Sequence, residues 1–354
     1  MSESPLTRRF PGVSAIPRIE LGSWPTPVSS APTLAEKTGA ASLWVKHDDI
    51  SAGAYGGNKV RKLEFLLADA LRRECGAVIT FGAFGSNHAL ATAVHAARFG
   101  LPVHAVLMPQ PVTSHLRATL LAYVAAGATL HPADSFDDAL RIAAGLRAEL
   151  RRAGIEPAVI PFGGTNALGT LGFINAAFEL AEQIEAGVLP APDVLYAPLG
   201  SMGTAAGLAI GLAAAGIATR VQAVRVVPAS PADPDALSRT VDEAVAAVRA
   251  VESGFPRLTL ADLALDVREG FLGEGYAQPT PAGMRAAERA AACGIALEST
   301  YTGKTLSAVA ADAAEGRLGD AAVLFWNTYN SRAVARGDSA RLPDVLRELA
   351  DAEC

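Results

Sequence analysis

The chain has 354 residues, half of them hydrophobic and 19% charged, which suits two domains or one large α/β domain and rules out a disordered chain. Thirty basic against thirty-six acidic residues leave a formal net charge of −6, and without a basic block to neutralise a phosphate backbone the chain is not expected to bind nucleic acid. The three cysteines, Cys75, Cys293 and Cys354, are far apart and odd in number, so neither a disulfide framework nor a metal site is expected.

Residues 1–16 carry Arg8 and Arg9 but not the apolar stretch of a signal peptide, and later apolar runs are short and broken by glycine, proline and charge. The expectation is a cytoplasmic protein with no membrane partner. From there on, short apolar runs alternate with longer helical patterns, which predicts parallel strands joined by crossover helices. GGNKVRK at 56–62 opens a helix that continues to Leu71. A strand over 76–80 leads through the turn FGAFGSN into a helix over 88–99. Strands over 103–107, 128–131 and 159–161 alternate with helices over 113–126 and 137–153. The segment GGTNALGTLG after Phe162 reads as a hinge or ligand loop, followed by a long helix over 173–186. A strand over 193–197, a turn PLGSMGTAAG, a helix over 208–215 and a strand over 220–227 come next. A proline-rich surface loop is expected at 228–234, and a last strand over 321–326 runs into 327–331.

Four places carry candidate chemistry, each with a plainer alternative. Lys59 stands behind Gly56 and Gly57 at a helix start; it is a solvated surface lysine, or an amine desolvated enough to form a Schiff base with an aldehyde. Gly200, Ser201, Met202, Gly203 and Thr204 lie between a strand and a helix; they make a tight turn, or a cup of backbone N–H groups for a single phosphate. Ser86 and Asn87 form a helix-capping pair, or a proton relay with a side-chain donor. Tyr276 and Tyr301 are packed aromatics, or hydroxyls facing a substrate.

Taken together and in order, KHDD (46–49), GGNKVRKLEFLLADAL (56–71), GSNH (85–88), GGTNALGTLGF (163–173), GSMGTAAGL (200–208), GYAQPT (275–280) and YTGK (301–304) span most of the chain. The set resembles the fold-type II pyridoxal phosphate enzymes related to tryptophan synthase β, and within them the 1-aminocyclopropane-1-carboxylate deaminase and D-cysteine desulfhydrase family. The resemblance implies two open, twisted parallel-sheet α/β domains with pyridoxal 5'-phosphate in the cleft between them. The larger would comprise 1–63 and 170–354, the smaller the insertion 64–169, and the protein would be a homodimer. It implies a Schiff base between Lys59 and the cofactor, with Lys62 and the 200–204 loop on the phosphate. Asn87 would meet the ring hydroxyl, and Thr328 would stand near the ring nitrogen. Ser86, Tyr276 and Tyr301 would face a small amino-acid substrate.

The implied reaction starts with proton removal at the α-carbon by Lys59 and continues with loss of a β-substituent, giving pyruvate and ammonia. Two departures bear on the choice within the family. The deaminases carry a glutamate directly after the second tyrosine, where this chain has Thr302, which favours β-elimination over ring opening. The family's C-terminal His-Thr-Gly-Gly is Asn327, Thr328, Tyr329, Asn330 here, which implies a reshaped pocket. The alternatives are ring-opening deamination, β-replacement or racemisation with the same cofactor, and a non-catalytic cofactor-binding protein whose substrate space Tyr329 and Asn330 have closed.

Overall fold

The computed structural model describes residues 3–229 and 234–351. Most of the loop expected at 228–234 and Cys354 lie outside the described residues. Two sheets organise the chain. The larger has the strand order β1-β2-β10-β7-β8-β9, formed by Val28–Ser30, Ser42–His47, Ala322–Asn327, Val194–Leu199, Arg220–Arg225 and Leu265–Arg268. All its neighbours are parallel except β1, which runs antiparallel to β2 at the edge. The smaller, order β5-β4-β3-β6, is formed by Thr129–Pro132, Val103–Met108, Ala77–Ala83 and Pro157–Ile160 and is wholly parallel.

Parallel strands are covered on both faces, so their residues are apolar throughout and divide between two cores by the period of two. In β10, Leu324 and Trp326 enter one core while Val323 and Phe325 enter the other. Likewise in β3, Val78 packs on one face and Ile79 and Phe81 on the opposite one. The C-terminal helix Asp344–Asp351 sends Leu346 into the core of the smaller sheet, joined by Leu342.

One expectation fails instructively. The GGTNALGTLG segment is not a loop up to Gly172: its helix begins at Ala167 and runs to Glu185, capped by Asn166 Oδ1 accepting from the Gly169 N–H at 2.8 Å. Likewise the helix after β7 begins at Gly203, not 208, and ends at Ala215. Glycines inside helices cost stability, and here they are required by close crossings. A methyl on Gly172 would lie 2.3 Å from the Arg61 carbonyl oxygen, and methyls on Gly207 and Gly211 would fall 2.6 Å from Phe173 Cβ and 2.5 Å from Ala177 Cβ. The Lys59–Arg72 and Gly203–Ala215 helices thereby pack on the Ala167–Glu185 helix almost backbone to backbone.

Candidate active site

A cavity of about 340 Å³ opens where strands of both sheets end, at the carboxyl edges of β3, β4, β7 and β10. Open α/β sheets place their ligand sites at such edges. Four helices, Lys59–Arg72, Asn87–Ala97, Gly203–Ala215 and Thr302–Ala314, begin at its wall, so backbone N–H groups with no partner inside their own helix converge there.

Of the predicted residues, Lys59, Ser86, Asn87, Gly200, Ser201, Met202, Thr204, Tyr276, Tyr301 and Thr328 line the cavity, while Lys62 and Gly203 stand directly behind it. The Lys59 helix reaches this position because Gly56 and Gly57 let two loops pass very near. A methyl on Gly56 would lie 2.3 Å from the Asp49 carbonyl oxygen, and Gly57 holds φ +90° beneath the Tyr329 carbonyl. Burial lowers the Lys59 amine to about 8, and no hydrogen bond or ion pair engages its Nζ among the described residues.

Lys62, one turn further on, is fully buried. Its Nζ donates to the Gly163 carbonyl at 3.0 Å and to Thr165 Oγ1 at 2.8 Å, and Thr165 Oγ1 donates to Ser201 Oγ at 2.8 Å. Burial, then the neighbouring Lys59, push the Lys62 amine well below its usual range. Met202 adopts φ +68°, rare for a residue with a side chain, and the helix that follows it has no side-chain cap. Asn58 Nδ2 donates to Thr204 Oγ1 at 3.1 Å, tying this loop to the Lys59 turn. Two amines without a carboxylate partner, hydroxyls and an uncapped helix start make a cradle for an anion.

On the opposite wall Ser86 caps its helix, its Oγ accepting from the Ala89 N–H at 3.2 Å, so the plain capping role and the cavity position coexist. Tyr276 and Tyr301 share a hydrogen bond of 2.7 Å between their hydroxyls, and burial holds both phenols above their usual range. Thr328 faces the cavity and its carbonyl accepts from the Asn58 N–H at 3.2 Å. Tyr329 is part of the wall, yet the cavity remains open beside it. Asn330 stands apart from the cavity: its Oδ1 accepts from the Gly56 N–H at 2.7 Å, which makes it a brace for the glycine turn.

Sequence reasoning missed Glu298, whose side chain lines the cavity. Its Oε1 accepts from the N–H groups of Tyr301 and Thr302 at 2.9 and 2.8 Å and its Oε2 from Thr300 at 2.7 Å, so it closes the start of the last cavity helix. Thr302, which stands where the deaminases carry a glutamate, is fully buried behind the wall, its Oγ1 donating to that carboxylate at 3.1 Å. No sequence pattern marked Glu298, because it precedes the helix start at Tyr301 rather than standing at the third helical position where a capping acid is expected. His88 also lines the cavity; burial first, then Lys59 and Lys62, hold its ring well below the usual value, hence neutral. Among the described residues no helix is long and apolar enough to cross a membrane, and no group of three candidate ligands is arranged to hold a metal ion.

Fold and site together define an α/β enzyme with a half-buried free amine beside an anion cradle. The family model for pyridoxal-phosphate dependent enzymes matches residues 19–328. A D-cysteine desulfhydrase from Klebsiella pneumoniae (strain 342) is 35% identical over 293 residues, covering 78% of this chain and 82% of that protein. A putative 1-aminocyclopropane-1-carboxylate deaminase from Pyrococcus abyssi (strain GE5 / Orsay) is 39% identical over 203 residues, covering 57% and 60%. The crystal structure of an ACC deaminase homologue superimposes with a TM-score of 0.78 at 30% identity, covering 93% of this chain and 95% of that one. The chain belongs to the pyridoxal-phosphate dependent enzyme family, and pyridoxal phosphate is its cofactor. The residues present fit that group: an unpaired amine for an aldehyde, and a cradle of amine, hydroxyl and backbone N–H donors one helical turn away for a phosphate.

Proposed function

We propose that the protein is a pyridoxal phosphate-dependent lyase that removes a β-substituent from a small amino acid, as a D-cysteine desulfhydrase does, giving pyruvate, ammonia and the leaving group. The observation that carries this reading is the Lys59 amine, free of partners and held near about 8, facing one cavity with the paired tyrosines and Ser86. The relatives named desulfhydrase and deaminase support the substrate class.

When bound, pyridoxal phosphate supplies an electron sink for charge that develops at the substrate's α-carbon. Lys59 holds the cofactor and, once freed, takes the α-proton; an amine near about 8 has a neutral fraction at working pH and still returns a proton readily. Lys62, Ser201, Thr204 and the N–H groups that open the Gly203–Ala215 helix hold the phosphate. Asn87 and Thr328 orient the ring. Because Ser86 Oγ already accepts from Ala89, its own proton is available to the cavity. One hydroxyl of the Tyr276–Tyr301 pair donates to the other, which leaves a single O–H to protonate or orient a leaving group.

We assign the smaller domain to 64–169, with the C-terminal helix Asp344–Asp351 packed on it, and the larger to 1–63 with the rest of 170–354, with closure of the two excluding water from the cleft. A cytoplasmic homodimer without nucleic-acid or membrane partners completes the proposal, resting on family resemblance and the acidic charge balance. The test is a screen of the purified holoenzyme against D- and L-amino acids with β leaving groups and against the cyclopropane substrate. Pyruvate and ammonia from a β-substituted substrate support elimination. 2-Oxobutanoate from the cyclopropane, or recovered amino acid with scrambled configuration, contradicts it.

A further inference from the structure

Asn87 meets the cavity at the start of its helix, and its carboxamide has two ends to offer, an oxygen that accepts and a nitrogen that donates. What selects between them lies behind the wall. Tyr55 is 2% exposed, and its hydroxyl donates to Asn87 Oδ1 at 2.9 Å. Burial raises the phenol well beyond its ordinary range, so the hydroxyl keeps its proton at every working pH. Tyr55 is itself pinned, its carbonyl accepting from His95 Nε2 at 2.9 Å, and burial lowers the His95 ring to about 4 so that it donates as a neutral imidazole. From another helix, Tyr123 donates to the Ser86 carbonyl at 3.0 Å and fixes the turn without touching the amide.

We propose that Tyr55 is a positioning residue for Asn87: by occupying Oδ1 it turns the carboxamide nitrogen to the cavity and makes Asn87 a donor to the ring oxygen of the cofactor. This inference rests on the reading that Asn87 meets that oxygen. A ring oxygen that receives a hydrogen bond is favoured in its anionic form, so the bound cofactor loses its proton at lower pH than it would beside an amide free to flip. Without the tyrosine hydroxyl, the oxygen-inward orientation sets two acceptors against each other.

The experiment compares pyridoxal phosphate with its 3-deoxy analogue by equilibrium dialysis, and follows the visible band of the bound cofactor with pH, in the parent, Tyr55→Phe and Tyr123→Phe proteins. The parent should prefer the hydroxyl-bearing cofactor by about five-fold or more, the scale of one hydrogen bond. Tyr55→Phe should lose most of that preference and raise the spectral midpoint by about half a pH unit, and Tyr123→Phe should keep both parent values. A Tyr55→Phe protein with the parent's preference and midpoint overturns the inference and leaves the reading of Asn87 intact. A parent that binds both compounds equally overturns that reading and the inference with it. If Tyr55→Phe does not fold, Tyr55→Leu, which also lacks the hydroxyl, repeats the comparison with the same two outcomes.

Discussion

Two clusters of basic side chains lie on opposite faces of the Lys59–Arg72 helix and have opposite fates. Arg61, two residues from Lys59 and so about 200° round the helix, is saturated. Its guanidinium makes paired bonds to Asp48 at 2.8 and 2.7 Å and to Glu179 at 3.0 and 2.9 Å. Lys46 joins it, its Nζ donating to Glu179 Oε1 and Gln183 Oε1 at 2.6 Å each and to the Thr26 carbonyl at 2.8 Å. Trp326 Nε1 closes the network on Asp48 at 2.8 Å. Burial lowers the Lys46 amine to about 8, the same value as Lys59. The lowered value alone therefore does not mark a reactive amine. What separates the two is that all three protons of Lys46 are spoken for and it faces no cavity, whereas Lys59 is unpartnered and faces one.

The largest expected effect comes from removing the free amine. Lys59→Ala should lose the cofactor band near about 410 nm and about 10³-fold or more of turnover while melting like the parent. Breaking the saturated side should do the reverse: Asp48→Ala removes one of the two carboxylates that share the Arg61 charge and should cost about 3–5 kcal/mol of stability by denaturant unfolding, and the protein that remains folded should keep its band. Lys62→Met should retain the band but weaken cofactor affinity about 10- to 100-fold, as loss of a charge-assisted contact implies, and should abolish competition by inorganic phosphate.

The smallest effect is in acid. Burial pushes the Glu179 carboxyl up, but Arg61 and Lys46 outweigh it and hold the group at about 2, below its ordinary 4.5. Between those values the unfolded chain binds more protons than the folded one, so the stabilisation is fully present above pH 4.5 and is lost as pH falls toward 2. In Glu179→Gln the stability curve should be flatter across that window.

This contrast was only half legible in the sequence. The glycine-framed GGNKVRK and GSMGTAAGL segments pointed to Lys59 and the phosphate cradle, because close backbone approach leaves a visible mark in composition, while Lys62 came from the family resemblance alone. The saturated network left none: Lys46 and Glu179 are 133 residues apart, and a charged residue buried by a distant partner reads locally as a surface residue. The same glycines misled about element boundaries, since those at 169, 172 and 207 suggest a loop until the helices they bring together are known. The edge strands β1 and β9, short and half exposed, offered too little periodicity to be found. Glu298 went unnoticed because its role is to cap a helix, and only the arrangement of the last cavity helix turns it toward the site.

The central claim is that Lys59, and none of the buried amines behind it, holds the cofactor. Borohydride reduction of the holoenzyme followed by peptide mass mapping tests it directly, since reduction fixes the cofactor to whichever amine carries it. The account predicts a single pyridoxyl-modified peptide with the label on Lys59; label on Lys46, Lys62 or Lys304, or none at all, would contradict it.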